Sequence, residues 1–372
     1  GLLLVIQLVF AFILLKTKFG ITAIGGISDG FNYLLAKAAE GVNFVFGGFE
    51  FVDPKNPPFF FNVLLPIVFI SALIGILQYT RILPWIINVL GLAISKINGM
   101  GRLESYNAVA AAILGQSEVF ISLKKELAHI PKQRLYTLTA SAMSTVSASI
   151  IGAYFTLIEP RFVVTAVVLN LFGGFIIASI INPYKIDAKE DKLIVDESES
   201  GKQSFFEMLG EYILDGFKVA VIVGAMLIGY IAIIALLNGV VSAIFTGLSG
   251  GSITWDFQTL IGFVFAPFAF LVGVPWNDAV QAGSIMATKL LSNEFVAMQS
   301  LSQVKDMSAH AKGVISVFVV SFANFSSIGI ISGAIKSLNN EKGDIVARFG
   351  LKLLFGATLV SFISAAIAGF FI

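Results

Sequence analysis

Hydrophobic residues fall into seven long runs along the chain, separated by shorter and more polar segments. A helix needs roughly 20 predominantly apolar residues to cross a bilayer, and most of the runs approach that length. The runs cover residues 2–15, 63–79, 136–158, 161–182, 218–238, 314–336 and 348–371. The pattern therefore predicts an all-α polytopic membrane protein.

Composition supports this prediction and narrows the function. The 372 residues are 57% hydrophobic and 13% charged, and their mean hydropathy is +0.90, outside the range of soluble domains. A net charge of +1 gives no reason to expect nucleic-acid binding. The absence of Cys excludes disulfides and thiolate metal sites, and only His129 and His310 could offer imidazole. Since no HExxH or Walker motif occurs, we expect no enzyme activity, catalytic residue, metal site or organic cofactor.

The N-terminal region, residues 1–62, is predicted to hold more than its first span. Residues 21–46 mix Gly, Ala and aromatics with a few charges, as an interfacial amphipathic helix does. Residues 51–60 form a loop, because consecutive prolines interrupt helices. The chain starts at Gly1 inside an apolar run and without an initiator Met, so we expect that one earlier span precedes it.

The rest of the chain divides into two similar halves, residues 63–184 and 218–372, joined by a charged cytoplasmic linker at 185–217. Each half has a span, an amphipathic connector and a less apolar stretch with a carboxylate near its middle. A Ser-rich span and a final span follow in both halves. This shared order of elements predicts an internal repeat, with the carboxylate stretches at 101–130 and 275–303.

Positive charges indicate the orientation of the two halves. Those between the spans 63–79 and 136–158 are Arg81, Lys96, Arg102, Lys124, Lys125, Lys132 and Arg134. Positive loops stay in the cytoplasm, so the stretch 101–130 enters and leaves on that side as a re-entrant hairpin. Residues 219–288 contain no Lys or Arg, and the second hairpin is then predicted to enter from outside. Inverted repeats with re-entrant hairpins and broken helices are typical of secondary transporters.

Two carboxylates, Glu118 and Glu294, lie within these hairpins at predicted membrane depth. A charge at that depth costs about 2.5–3.5 kcal/mol on insertion scales, and such residues usually contact a substrate, an ion or a proton. Glu118 follows Gln116 and Ser117, and Glu294 follows Asn293. Both carboxylates are therefore expected at hairpin tips beside other polar groups.

The Ser-rich spans add hydroxyl and amide groups that could face the same site. They carry Ser144, Thr145, Ser147, Asn324, Ser326 and Ser327. The FANFSSIG stretch has low helix propensity and is expected to unwind. Together these groups suit a neutral ligand rich in hydroxyl and amide edges, and they suit an anion poorly. The alternative for the individual serines is that they only join helices by hydrogen bonds.

Four motifs in this order and spacing, GQSE, GVPWNDA, SNEFVA and FANFSSIG, resemble the concentrative nucleoside transporter family. The resemblance covers the whole chain and is nearest to the NupC-type permeases of Bacillus-like bacteria. It implies a homotrimer in a bacterial cell membrane, an additional N-terminal span, and a mobile transport domain that moves like an elevator against a scaffold.

The resemblance also implies roles for particular residues. The residues implied to contact the base are Gln116, Ser117, Glu118 and Ile150. The residues implied to hold or line the ribose are Glu294, Asn324, Ser327 and Phe322. A carboxylate that accepts a hydrogen bond from a sugar hydroxyl rejects a sugar that lacks this hydroxyl.

One departure from the family pattern concerns the coupling ion. Sodium-coupled relatives place an Asn about one turn before the GQSE-type motif, where this chain has Ala111. Leu114 and Val146 could still offer carbonyls, and Thr145 keeps a hydroxyl, but a hard cation needs several oxygens. We therefore expect proton coupling, with Glu118 or Glu294 as the proton carrier.

The sequence thus predicts a proton-coupled nucleoside importer that favours pyrimidine nucleosides such as uridine and cytidine. Sodium coupling and a broader range that includes purines stay open, because the Gln116–Ser117 pair does not exclude adenosine. Two other classes of function stay open as well. A structural or channel-like membrane protein would tolerate Glu294→Gln, and an intramembrane hydrolase would form product without a gradient.

Overall fold

The computed structural model describes residues 1–48, 58–186 and 203–372, without the side chains of Asn98 and Lys125. The regular elements of these residues are helices, as the hydrophobic pattern predicts. Helix α1 (Leu2–Lys16) covers the first predicted span and is bent by 74° from α2 (Lys18–Phe46). The predicted helix at 21–46 is confirmed, whereas its interfacial position stays a prediction. Most of the predicted loop at 51–60 lies outside the described residues.

The first repeat begins with a π-helical turn (Phe60–Leu64) that leads into α3. Its helices are α3 (Pro66–Tyr79), α4 (Ile82–Asn98), α5 (Arg102–Leu114), α6 (Val119–Ser122), α7 (Lys124–Leu127), α8 (Lys132–Met143), α9 (Ala148–Phe155) and α10 (Pro160–Ile181). Helix α5 and the short helices α6 and α7 form hairpin 1, and residues 115–118 are its tip.

The second repeat follows the same order. Its helices are α11 (Phe205–Leu248), α12 (Phe257–Leu271), α13 (Trp276–Leu291), α14 (Glu294–Gln303), α15 (Ala309–Val319), α16 (Phe325–Leu338), α17 (Asn340–Arg348) and α18 (Gly350–Gly369). Helices α13 and α14 form hairpin 2, and residues 292–293 are its tip. The two repeats give the chain an all-α polytopic fold with inverted repeats, two re-entrant hairpins and broken helices.

The two hairpins are anchored at equivalent positions. Glu104 is the third residue of α5, and both of its carboxylate oxygens accept from Arg134 of α8, at 2.6 and 2.8 Å. Asp278 is the third residue of α13 and accepts from the Ser308 hydroxyl, at 2.6 Å, where α15 begins. A Pro and an early acidic residue suit a helix N-terminus, and α13 accordingly begins at Trp276, between Pro275 and Asp278.

Close helix pairs repeat as well. An added Cβ at Gly91 of α4 would come within 3.1 Å of the Tyr106 backbone in α5. An added Cβ at Gly262 of α12 would come within 2.5 Å of the Val280 carbonyl in α13. In each repeat, therefore, a glycine lets the connector helix pack directly against the backbone of the first hairpin helix.

Two predicted spans are interrupted and one element is longer than predicted. The predicted span 136–158 is divided between α8 and α9, which are separated at Ser144–Ser147. The predicted span 314–336 is divided between α15 and α16 at Val320–Asn324, within and just before the stretch that is expected to unwind. Helix α11 begins at Phe205, so the predicted linker at 185–217 is helical over its last part, and residues 187–202 lie outside the described chain. In the described chain, five helices are long and apolar enough to cross a membrane, and two bent pairs could add two spans.

Candidate functional site

The two interrupted spans meet at their breaks. The backbone N–H of Phe322 donates to the Thr145 carbonyl at 3.0 Å, which joins the unwound segment 320–324 to the unwound segment 144–147. Each following helix starts with a side-chain cap: Ser147 caps α9, and Asn324 Oδ1 accepts from the Ser327 N–H at 3.0 Å. The unwinding predicted for FANFSSIG is therefore found at Phe322–Asn324, and the helix resumes at Phe325.

Hairpin 2 places Glu294 in a buried polar cluster. Its carboxylate is 5% exposed and accepts from Tyr154 Oη at 3.0 Å and from Asn324 Nδ2 at 3.3 Å. Phe322, on the unwound segment, and Ser327, in the first turn of α16, are buried beside this cluster. The structure thus brings together Glu294, Asn324 and Ser327, the residues that the resemblance assigns to the ribose.

Hairpin 1 presents a looser arrangement. Gly115 has a positive φ of 112°, a conformation that favours glycine, and it turns the chain at the tip. Gln116 is buried, and its Oε1 has no hydrogen-bond partner in the described part of the chain. Ser117 is half-buried, and Glu118 is exposed on a cavity of about 550 Å³.

Glu118 thus lies at the hairpin tip, as predicted, but it differs from Glu294 because its side chain opens on this cavity. Hydropathy indicates only that Glu118 lies in an apolar stretch, whereas the fold gives its side chain an opening. The cavity lies between hairpin 1, the α3–α4 turn and the first half of α11, and its lining includes Gln78, Trp85, Tyr212 and Asp215.

Helix α9 connects the two hairpin tips. At its start, Ser147 Oγ donates to the Leu114 carbonyl of hairpin 1 at 3.2 Å. Near its end, Tyr154 contacts Glu294 of hairpin 2. Ile150 lies between them, 5% exposed. A rise of 1.5 Å per residue separates Ser147 from Tyr154 by about 10 Å. The residues that the resemblance assigns to the base and to the ribose therefore lie at the two ends of one short helix.

The positions that correspond to the sodium site of the family are also close together. Ala111 and Val146 are buried, and the Leu114 carbonyl already accepts from Ser147. Thr145 Oγ1 is buried and makes no hydrogen bond to any described residue. One hydroxyl oxygen could thus still serve a cation, while the side chain of Ala111 offers none.

Three residues near the site were not identified from the sequence. Tyr154 bonds Glu294 directly, Asn170 Nδ2 of α10 donates to the Val320 carbonyl at 2.7 Å, and Lys289 is fully buried in α13. For Tyr154 the signal was a hydroxyl within the apolar run that follows Ser149 in α9. Asn170 and Lys289 are likewise polar residues inside apolar helices. This feature identifies them as candidate functional residues but does not indicate which residues they contact.

Known proteins match the chain along most of its length. Family models described as the N-terminus and C-terminus of Na+ dependent nucleoside transporters match residues 1–49 and 162–369, and a nucleoside recognition model matches residues 60–161. The purine nucleoside transport protein NupG of Bacillus subtilis is 37% identical, with 100% of this chain and 91% of that protein covered. The nucleoside permease NupC of Helicobacter pylori is 30% identical, with 99% and 90% covered.

Solved structures agree with these relatives. CNTnw in an inward-facing substrate-bound state has a TM-score of 0.90 and 26% identity, covering 99% of this chain and 90% of that one. A CNTnw variant in an outward-facing state has a TM-score of 0.91 at the same identity and coverage. The matches identify a nucleoside transporter rather than an enzyme, which confirms the resemblance. The chain belongs to the concentrative nucleoside transporter family and is close to its bacterial NupC-type permeases.

Proposed function

We propose that this protein imports nucleosides by proton symport, with the ribose held at hairpin 2 and the base at hairpin 1. The observation that carries the proposal is the Glu294 cluster, where a buried carboxylate, an amide and a phenol converge at the break between two helices. Ribose hydroxyls can donate to Glu294. The Ser327 hydroxyl, which has no partner among the described residues, can add a further bond.

The base end suits a range of ligands. Gln116 Oε1 can accept from a base N–H, and Ser117 can donate or accept. The cavity next to Glu118 leaves room for bases larger than the pyrimidines. NupG, the relative named for purine nucleosides, is 37% identical. We therefore propose that purine nucleosides are imported together with the pyrimidine nucleosides that the sequence analysis favours.

Proton coupling is supported by the donor set at the ancestral sodium position. Ala111 contributes no side-chain oxygen, and the Leu114 carbonyl, one of the two expected at this position, already accepts from Ser147. Glu118 and Glu294 remain the candidate proton carriers. Sodium coupling is the second candidate, because Thr145 Oγ1 lacks a partner within the described residues and because the matching family models are described as Na+ dependent.

Alternating access by an elevator-like movement and a trimeric assembly complete the proposal. Similar solved structures are described in inward-facing, outward-facing and intermediate states. Helix α11 has 44 residues and is about 66 Å long, more than twice the roughly 30 Å hydrocarbon core. Many of its apolar side chains are exposed, among them Ile228, Leu236 and Leu248. This surface could face lipid or other copies of the chain in a bacterial cell membrane.

The deciding experiment is uptake into proteoliposomes. Labelled uridine, adenosine and guanosine would be supplied while proton and sodium gradients are imposed one at a time. We expect uptake with an inward proton gradient, its loss with a protonophore, and no response to sodium. Uptake that requires sodium and ignores the protonophore would reject the coupling, and no gradient-driven uptake of any nucleoside would reject the proposed function.

A further inference from the structure

Lys289 is a fully buried basic residue in α13 of hairpin 2, about one helical turn before the tip. Its ammonium donates to the Phe318 carbonyl at 3.0 Å, to Ser321 Oγ at 2.6 Å and to Ser361 Oγ at 3.0 Å. An ammonium has three donors and no acceptor, so these three oxygens satisfy it completely. The geometry is that of a built site for a positive charge.

Burial of this charge needs compensation, because an isolated ammonium is costly to remove from water. The Phe318 ring lies 4.6 Å from the ammonium and supplies a cation–π contact. Its three hydrogen-bond acceptors are uncharged, and they come from a backbone carbonyl and two serine hydroxyls. Glu294 stands five residues after Lys289 in the same hairpin.

The three acceptors of Lys289 belong to three different elements. Phe318 lies in the last turn of α15, Ser321 lies in the unwound segment 320–324, and Ser361 lies in α18. Ser321 and Ser361 are themselves 2.9 Å apart. Lys289 thus ties hairpin 2 to the segment that carries Phe322 and Asn324, which stand one and three residues after Ser321.

We propose that Lys289 is a positioning residue for ribose recognition, which fixes the unwound segment against hairpin 2. This inference rests on the proposed nucleoside transport. Lys289 does not contact the ligand in this assignment. It acts through the placement of Asn324 and Glu294, and its loss should therefore affect the sugar end of the site and spare the base end.

The test compares Lys289→Met with wild type in proteoliposomes, using ribonucleosides and their 2′,3′-dideoxy analogues. We expect the KM for the ribonucleoside to rise about tenfold or more, equivalent to at least 1.4 kcal/mol. The preference for ribose over dideoxyribose should fall by a similar factor. Lys352→Met, which removes an exposed lysine of α18, is the matched control and should stay within about twofold of wild type.

A second pair of variants tests the inference if Lys289→Met does not fold. Ser321→Ala and Ser361→Ala each remove one acceptor of the same ammonium, but only Ser321 belongs to the unwound segment. We expect Ser321→Ala to weaken ribose preference several-fold and Ser361→Ala to change it less.

A purely structural role predicts a different result. The amount of folded protein and the maximal rate would fall equally for both sugars, while KM and ribose preference would keep their wild-type values. That outcome for Lys289→Met, or equal effects of the two serine variants, would overturn the assignment. Wild-type uptake is measured first, so that a failure of nucleoside transport itself is recognised separately.

Discussion

The two hairpin tips contain similar residues, but the burial and the hydrogen bonding of these residues differ. At hairpin 2, Glu294 is buried and bonded to two side chains. At hairpin 1, Glu118 opens on a cavity, and the buried Gln116 keeps an acceptor without a partner in the described chain. The ribose is common to all ribonucleosides while the base varies. A rigid sugar end and a looser base end would therefore recognise a class of ligands rather than one member.

The largest expected effect concerns the anchors of the hairpins. Arg134→Met should lower the free energy of unfolding by about 3–5 kcal/mol, because it removes the cation that bonds both oxygens of the buried Glu104 carboxylate. Ser308→Ala at the equivalent place in hairpin 2 should cost only about 1 kcal/mol. Denaturation in detergent measures both. Arg161→Met, which breaks the exposed pair with Glu159, is the control. If Arg134→Met lowers the free energy of unfolding no more than Arg161→Met does, interactions other than the Glu104–Arg134 pair anchor hairpin 1.

The two carboxylates should differ in their effect on transport. Glu294→Gln is expected to lower uptake efficiency about 100-fold, since a bond to a charged group is worth about 1.5–3 kcal/mol and the site has no substitute. Glu118→Gln should lower it about tenfold at most, because its carboxylate is open to solvent. Uptake of labelled uridine and adenosine measures both variants. The reverse order would contradict the contrast between the tips.

Base selectivity should depend on hairpin 1 alone. Gln116→Ala is expected to change the ratio of purine to pyrimidine uptake by about tenfold, the effect of one lost hydrogen bond near the upper end of its usual worth. Its preference for ribose over dideoxyribose should be unchanged. Asn324→Ala is the counterpart and should lower uptake of both base classes together. Competition between nucleosides in proteoliposomes gives these uptake ratios. If Gln116→Ala and Asn324→Ala changed them equally, the site would not be divided into a base end and a ribose end.

A smaller effect is expected from the phenol beside Glu294. Tyr154→Phe keeps the packed ring, 5.0 Å from Phe295, and removes one hydrogen bond of about 0.5–1.5 kcal/mol. The KM for ribonucleosides should rise about two- to tenfold. Tyr136→Phe removes a hydroxyl that bonds the Lys352 carbonyl away from the site and should leave KM unchanged. A similar KM for both variants would argue that Tyr154 only packs.

The smallest effect concerns an exposed carboxylate, for contrast with the buried ones. The Lys336 ammonium, 2.7 Å from Asp344, holds the pKa of that carboxyl below its usual value of 3.8. The ionised form is therefore favoured in the folded state, and its stabilisation is present above about pH 4 and lost as the pH falls further. Asp344→Asn should lower the thermal midpoint slightly at pH 7 and by less at pH 3. A difference of equal size at both pH values would exclude the ionic contribution.

Much of this architecture could be predicted from sequence because it depends on local composition. The hairpins, the start of α13 and the grouping of Glu294 with Asn324 and Ser327 follow from apolar runs and from motifs. The break at Ser144–Ser147 could not be placed, since apolar residues continue on both sides and hide the lost backbone bonds. Tyr154 and Lys289 were missed because their partners lie far away in the chain. Tyr154 and Glu294 are 140 residues apart.

Helix α9 fixes the distance between the two hairpin tips. Its first residues touch one hairpin and its last turn touches the other, so no side-chain rearrangement can change the spacing between them. A ligand of different length must then be accommodated at the open end, where hairpin 1 borders the cavity. Changes in ligand size during the evolution of such a carrier should accordingly accumulate around Gln116 and Glu118, while the Tyr154 end stays constant.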